Sequence, residues 1–79
     1  MDMEKVFRTK DLYEASFLLA EGQTLINLEK ENVHYWFVFA EQSSSELLAN
    51  TYWNGKAIVN ARVFVDAIRN LKDRIFANK

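Results

Sequence analysis

The best candidate for a catalytic group is His34, the only histidine in the chain. The hairpin predicted below places Glu29 opposite His34, and a carboxylate beside an imidazole is a pair suited to proton transfer. Catalysis also needs a nucleophile or a second acid or base within hydrogen-bond reach, and the sequence offers none nearby. We therefore favour a structural or solvent-facing histidine.

The other chemical signatures of an enzyme are missing from the sequence. The chain has no cysteine, which excludes a disulfide framework, a thiolate zinc site and a cysteine nucleophile. It contains no glycine-rich phosphate-binding loop and no nucleophile elbow, and its acidic residues are scattered rather than clustered around the histidine. We expect no enzyme activity, no metal and no cofactor.

The run Tyr52-Trp53-Asn54-Gly55 suggests a second kind of chemistry. An aromatic pair beside an amide can hold a base or a sugar by stacking and hydrogen bonding. Helix ends commonly use the same residues. The favoured interpretation is that Tyr52 packs in the core, Trp53 covers the helix end and Asn54-Gly55 stops the helix.

Charge is divided unevenly along the chain, although the net charge is only -1. Residues 1–55 carry 4 Lys or Arg against 9 Asp or Glu, and residues 56–79 carry 6 against 2. The spacing of Arg62, Asp66, Arg69 and Asp73 predicts local pairing along one exposed helix face. Of the basic residues left over, three are candidate phosphate contacts: Lys72, Arg74 and Lys79. A solvated helix face is the favoured interpretation of this segment.

Both glycines follow segments with helical signals. Asp11 as N-cap and Gly22 as terminator predict a helix over residues 11–21. Ser43-Ser44-Ser45-Glu46 has the form of a capping box, which predicts a second helix over 44–54. Asn60 is a natural N-cap for the last helix, whose apolar stripe comprises Phe64, Ile68, Leu71 and Ile75. Residues 56–59 could be a short strand, but we favour a connector.

The strands are predicted at residues 5–9, 24–30 and 33–40. With a turn through Glu31 and Asn32, the hairpin register pairs residues whose side chains share a face. One face then carries the pairs Leu28–Tyr35, Ile26–Phe37 and Thr24–Phe39, and the other carries Glu29–His34, Asn27–Trp36 and Leu25–Val38. The first face is more apolar and is predicted to be the core. A four-residue loop with the same register is equally compatible.

The predicted fold is a single α+β domain of 79 residues. It has two layers, a three-stranded antiparallel-type sheet and three helices, in the order β-α-β-β-α-α. No apolar stretch approaches the ~20 residues needed to cross a bilayer, and the N-terminus lacks the apolar core of a signal peptide. We therefore expect a cytoplasmic protein without a membrane partner.

Several runs resemble a family of short Gram-positive bacterial proteins known only as a domain of unknown function. They are residues 7–13 with Ala15 and 17–20, 37–39, 52–55 and 64–72. The resemblance covers nearly the whole chain and implies one stand-alone domain, but it supplies no activity. An association of such families with phages or mobile elements slightly raises the expectation of a DNA-related role.

The sheet face that carries Trp36 is the candidate partner surface. The residues assigned to it are Arg8, Leu25, Asn27, His34, Trp36 and Val38. The leading hypothesis is a non-enzymatic interaction module that pairs with itself, as a homodimer, or with another protein through this face or the adjoining sheet edge. The alternative, which is not favoured, is a nucleic-acid binder that uses Trp36 and His34 for stacking and the basic last helix for phosphate. Whether a helix covers Trp36 stays open at this stage, because three helices suffice to cover both faces.

Overall fold

Three antiparallel strands and three helices make up the fold in the computed structural model, which describes residues 5–78. The chain order is β-α-β-β-α-α, as predicted. The elements are β1 (Phe7–Thr9), α1 (Leu12–Ala20), β2 (Leu25–Glu31), β3 (His34–Phe39), α2 (Gln42–Trp53) and α3 (Ala61–Ala77). Strand β3 lies between β1 and β2, so both of its edges are paired. Residues 56–59 form no strand, in agreement with the connector interpretation.

Local capping signals correctly predicted both ends of α1 and the start of α3. The Asp11 carboxylate accepts a hydrogen bond from the Glu14 amide at 2.7 Å, which caps α1. Gly22 has φ 95° and donates its N–H to the Leu19 carbonyl at 3.0 Å, closing the C-terminus of that helix. Asn60 Oδ1 accepts from the first amides of α3 in the same way. Local sequence is therefore sufficient to bound these helices.

The capping box predicted at Ser43 is wrong. Helix α2 begins at Gln42 and follows Glu41, which has left-handed backbone angles and makes no side-chain cap. Ser45 is fully buried, where its hydroxyl donates to the Ala40 carbonyl at 3.0 Å and accepts from the Gln23 amide at 2.8 Å. Ser43 itself lies inside the first turn of α2 rather than at its N-cap, so the helix starts earlier than the capping pattern indicates.

The hairpin register differs from the prediction by two residues. The loop is Asn32-Val33, and the flanking pair is Glu31–His34. Asn32 has φ 58°, a left-handed conformation that asparagine tolerates better than most residues. A shift of two residues does not by itself move a side chain to the other face, because the alternation along a strand has period two. It does change the neighbours, so Glu29 lies opposite Trp36 rather than His34.

A bulge at the start of β2 changes two face assignments. The register is interrupted between Leu25 and Asn27, and Leu25 pairs with Phe39. Leu25 therefore packs against the core instead of lying on the Trp36 side, and Ile26 is about half exposed instead of facing Phe37. Both predictions were wrong because the extra residue reverses the alternation beyond it.

The core lies between one face of the sheet and the helices. Its largest fully buried side chains are Phe37 and Phe39 from β3, Leu18 from α1 and Leu71 from α3. Helix α1 contacts both α2 and α3, so it forms the centre of the helical layer. Among residues 5–78, no helix combines the length and apolar character needed to cross a membrane.

Candidate functional site

The sheet face opposite the helices is here called the Trp36 face. By strand alternation its residues are Arg8, Asn27, Glu29, Glu31, His34, Trp36 and Val38. None of them belongs to the hydrophobic cluster that the sheet forms with the helices. The helices therefore occupy one side of the sheet and leave Trp36 on the other.

Trp36 is partly buried by side chains from neighbouring strands. Its indole Nε1–H donates a hydrogen bond to Glu31 Oε1 at 2.7 Å. The Lys10 ammonium lies 4.8 Å from the ring centroid and the Arg8 guanidinium carbon lies 5.3 Å from it. Both distances are within the range of cation–π attraction. The ring thus lies beneath two positive charges rather than beneath a helix.

Two ion pairs cross the central strand. Arg8 on β1 pairs with Glu29 on β2 at 2.5 Å, and Lys10, which follows β1, lies 4.0 Å from Glu31. Since β3 separates the two edge strands, each pair must pass over it. Val38, directly beside Arg8 in the sheet, is only 4% exposed although it is outside the helix-covered core. Val38 is the residue of β3 that pairs with Arg8, so it lies beside the path that the Arg8 side chain takes across β3 to Glu29.

Four of the six residues predicted for the partner surface are accessible on this face. Arg8, Asn27 and His34 are exposed and Trp36 is partly exposed. Leu25 and Val38 correct the prediction, the first because the bulge moves it to the core side and the second because it is only 4% exposed. Sequence reasoning missed Lys10 and Glu31. Strand alternation could have found them, since Lys10 lies two residues after Arg8 and Glu31 lies two residues after Glu29.

Neither His34 nor the charged residues of α3 form ion pairs within residues 5–78. His34 is exposed, lies opposite Glu31 and takes part in no ion pair within residues 5–78. The predicted pairing along α3 is also wrong, because no ion pair joins the charged residues of that helix in the described part of the chain. Lys72 and Arg74 are exposed, with Arg74 Nε donating to Asn70 at 2.8 Å, and Lys79 lies outside the described residues. The described chain has no group of three or more acidic or histidine side chains that could hold a metal ion.

The aromatic pair at the end of α2 agrees with the interpretation that Tyr52 packs in the core at a helix end. Tyr52 packs against the core, with its ring centroid 6.0 Å from that of Phe17, and Trp53 meets it edge-on at 4.9 Å. Burial raises the pKa of the Tyr52 phenol above its ordinary value, and the negative charges of Asp11 and Glu14 raise it further. Gly55 has φ 74° and stops the helix. This cluster therefore contributes to folding at the helix end.

A buried carboxylate near this cluster is also part of the fold. Glu14 is 6% exposed and accepts a hydrogen bond from the Thr9 hydroxyl at 2.5 Å. The same hydroxyl oxygen accepts from the Asp11 amide at 3.0 Å. The contacts join the end of β1 to the first turn of α1, so this carboxylate stabilises the strand-to-helix connection.

Comparison with known proteins identifies the family but no activity. No curated protein and no solved structure matches the chain. The sequence profile described as "Domain of unknown function (DUF5659)" matches residues 4–77. The match extends through all three strands and all three helices. The chain therefore belongs to the DUF5659 family.

Proposed function

We propose that this protein is a non-enzymatic interaction module that self-associates through the Trp36 face. The supporting observation is a tryptophan at the centre of a sheet face that no helix covers within residues 5–78. A two-layer domain leaves one sheet face toward solvent, and that face is ordinarily polar. Tryptophan is enriched in protein interfaces, especially at their energetic centres. A tryptophan in this position is better explained by a partner than by the folding of one protomer.

The area of the Trp36 face sets the expected affinity. With strands ~4.8 Å apart and ~3.3 Å per residue, two strands ~20 Å long and the three-residue β1, ~10 Å long, give a face of ~250 Å² in projection. Two such faces with their rough surfaces bury on the order of 600–1,000 Å² in total, which is in the range of weak, transient complexes. We therefore expect a reversible dimer with a dissociation constant on the order of 0.1–1 mM.

A nucleic-acid partner has less support. The charges of Arg8 and Lys10 are offset by those of Glu29 and Glu31 on the same face, so little attraction for phosphate remains there. The exposed cations of α3 lie in the helical layer, because α3 packs on α1. Stacking on Trp36 and phosphate contacts from α3 would need opposite sides of the molecule. The association of such families with phages or mobile elements assigns no residue to such a role.

Sedimentation equilibrium tests the proposal. The wild-type protein should approach a dimer as its concentration rises to about 1 mM, and Trp36→Glu should remain monomeric because it places a charge at the centre of the interface. Trp36→Thr is a second variant that keeps a good strand former in β3. The matched control is Trp53→Glu, since Trp53 is 61% exposed but lies at the end of α2. A wild-type protein that stays monomeric would overturn the proposal. Equal effects of Trp36→Glu and Trp53→Glu on self-association would also overturn it.

A further inference from the structure

We infer that two copies dock with their Trp36 faces together and with the two-fold axis of the dimer parallel to β3. This inference rests on the proposed self-association and adds the arrangement of the two copies. The observation that carries it is the layout of charge across the face. Trp36 lies on the middle strand, the basic residues come from one side of it and the acidic residues come from the other.

The two edges of the face have opposite charge. Arg8 lies on β1 and Lys10 directly follows it, which makes that edge basic. Glu29 and Glu31 lie on β2, which makes the opposite edge acidic. The Arg8 and Glu29 side chains remain 48% and 43% exposed in spite of their ion pair, so both stay accessible to a second molecule.

Symmetry decides which edges meet in a dimer of facing sheets. If the two-fold axis runs parallel to β3, rotation places β1 of one copy over β2 of the other. The cations Arg8 and Lys10 then oppose the partner's carboxylates along both edges. If the axis runs across the strands, β1 lies over β1 and β2 over β2, so like charges meet along both edges. Isologous interfaces need a self-complementary surface, and only the first arrangement supplies one.

The tryptophans meet near the axis in this dimer. Trp36 is on the middle strand, so a rotation axis along that strand brings the two indole rings toward each other. The ion pairs that cross β3 within one protomer can then be shared with the partner's charges. Because these groups remain exposed, added salt should weaken the dimer.

Reversing the charge of one edge at a time tests the arrangement. The acidic variant carries Arg8→Glu and Lys10→Glu, and the basic variant carries Glu29→Lys and Glu31→Lys. With the axis parallel to β3, each variant alone opposes like charges along both edges. Each should then self-associate at least about tenfold more weakly than the wild type. An equimolar mixture of the two should form a heterodimer, because every opposing pair is again of unlike charge.

Sedimentation of each variant and of the mixture distinguishes the outcomes, with the heterodimer recognised by its mass in native mass spectrometry. If the mixture associates again, the reversed charges make contacts between copies rather than only stabilising one protomer, because the ion pairs within each protomer stay broken in the mixture. Reversed variants that dimerise as well as the wild type would overturn the parallel axis and leave the proposed function standing. The inference would be overturned if the mixture stays monomeric while the wild type dimerises and circular dichroism shows that the variants are folded. That result would mean that these charges interact only within one protomer. A monomeric wild type would remove the proposed function itself.

Discussion

Replacing Tyr35 with phenylalanine should stabilise the domain. The Tyr35 hydroxyl oxygen is buried and has no hydrogen-bond partner among the described residues. A buried polar group left without a partner costs about 1–3 kcal/mol, because it gives up its bonds to water on folding. Phenylalanine keeps the ring and removes that cost, while the small space left by the oxygen offsets part of the gain. We expect the free energy of unfolding to rise by about 1 kcal/mol, which corresponds to a Tm higher by ~4–8 °C for a domain of this size.

Thermal and urea unfolding followed by circular dichroism measure the effect of Tyr35→Phe. The matched control is Tyr13→Phe, which removes the same atom from a side chain that is 50% exposed. Because water satisfies that hydroxyl, the control should change stability by less than about 0.5 kcal/mol. A clear loss of stability in Tyr35→Phe would refute the reasoning, since it would show that the hydroxyl makes a favourable contact in the folded protein.

Three further predictions concern the backbone, pH and the ion pairs. Glu41→Gly should stabilise the domain by about 1 kcal/mol in urea unfolding, because Glu41 has φ 58° and glycine adopts this conformation without strain. The control Glu46→Gly, inside α2, should instead destabilise the domain by about 1 kcal/mol. Equal effects of the two replacements would contradict the explanation. Because the pKa of Tyr52 is raised in the folded state, the folded chain holds this proton more tightly than the unfolded chain. Stability should fall as pH rises above the ordinary tyrosine value of 10.0, and a Tm series should show that Tyr52→Phe reduces the decline, whereas an unchanged decline would contradict the assignment. A double-mutant cycle of Arg8→Ala and Glu29→Ala should give a coupling of about 0.5 kcal/mol that weakens with salt, since both side chains are partly exposed; a coupling that salt does not change would count against a direct ion pair.

The parts of the fold that were predicted correctly depend on local chemistry. Asp11 and Asn60 cap helices within three residues of themselves, and Gly22 and Gly55 end helices by adopting positive φ. Each of these signals acts within a few residues along the chain. The alternation of bulky residues in β3 likewise identified which face carries Trp36.

The errors arose where distant contacts decide the structure. Helix α2 follows Glu41 in a left-handed conformation, and its Ser45 accepts a hydrogen bond from Gln23, 22 residues away; no capping pattern records either feature. The bulge at Leu25 depends on pairing with Phe39, which lies 14 residues further along the chain. The ion pair that crosses β3 joins Arg8 to Glu29, 21 residues further along the chain. The sequence therefore predicted which sheet face carries Trp36, but not the ion pairs that cross that face.

The central claim is that copies of this protein meet through the Trp36 face, and the two tryptophans of the chain allow a direct test. Each indole N–H gives a separate signal in a ¹⁵N-correlated NMR spectrum, and dilution from about 1 mM should dissociate the dimer. The Trp36 indole signal should move with concentration while the signal of Trp53, on the far side of the sheet, stays in place. A constant Trp36 signal, or movement of the Trp53 signal alone, would contradict the account.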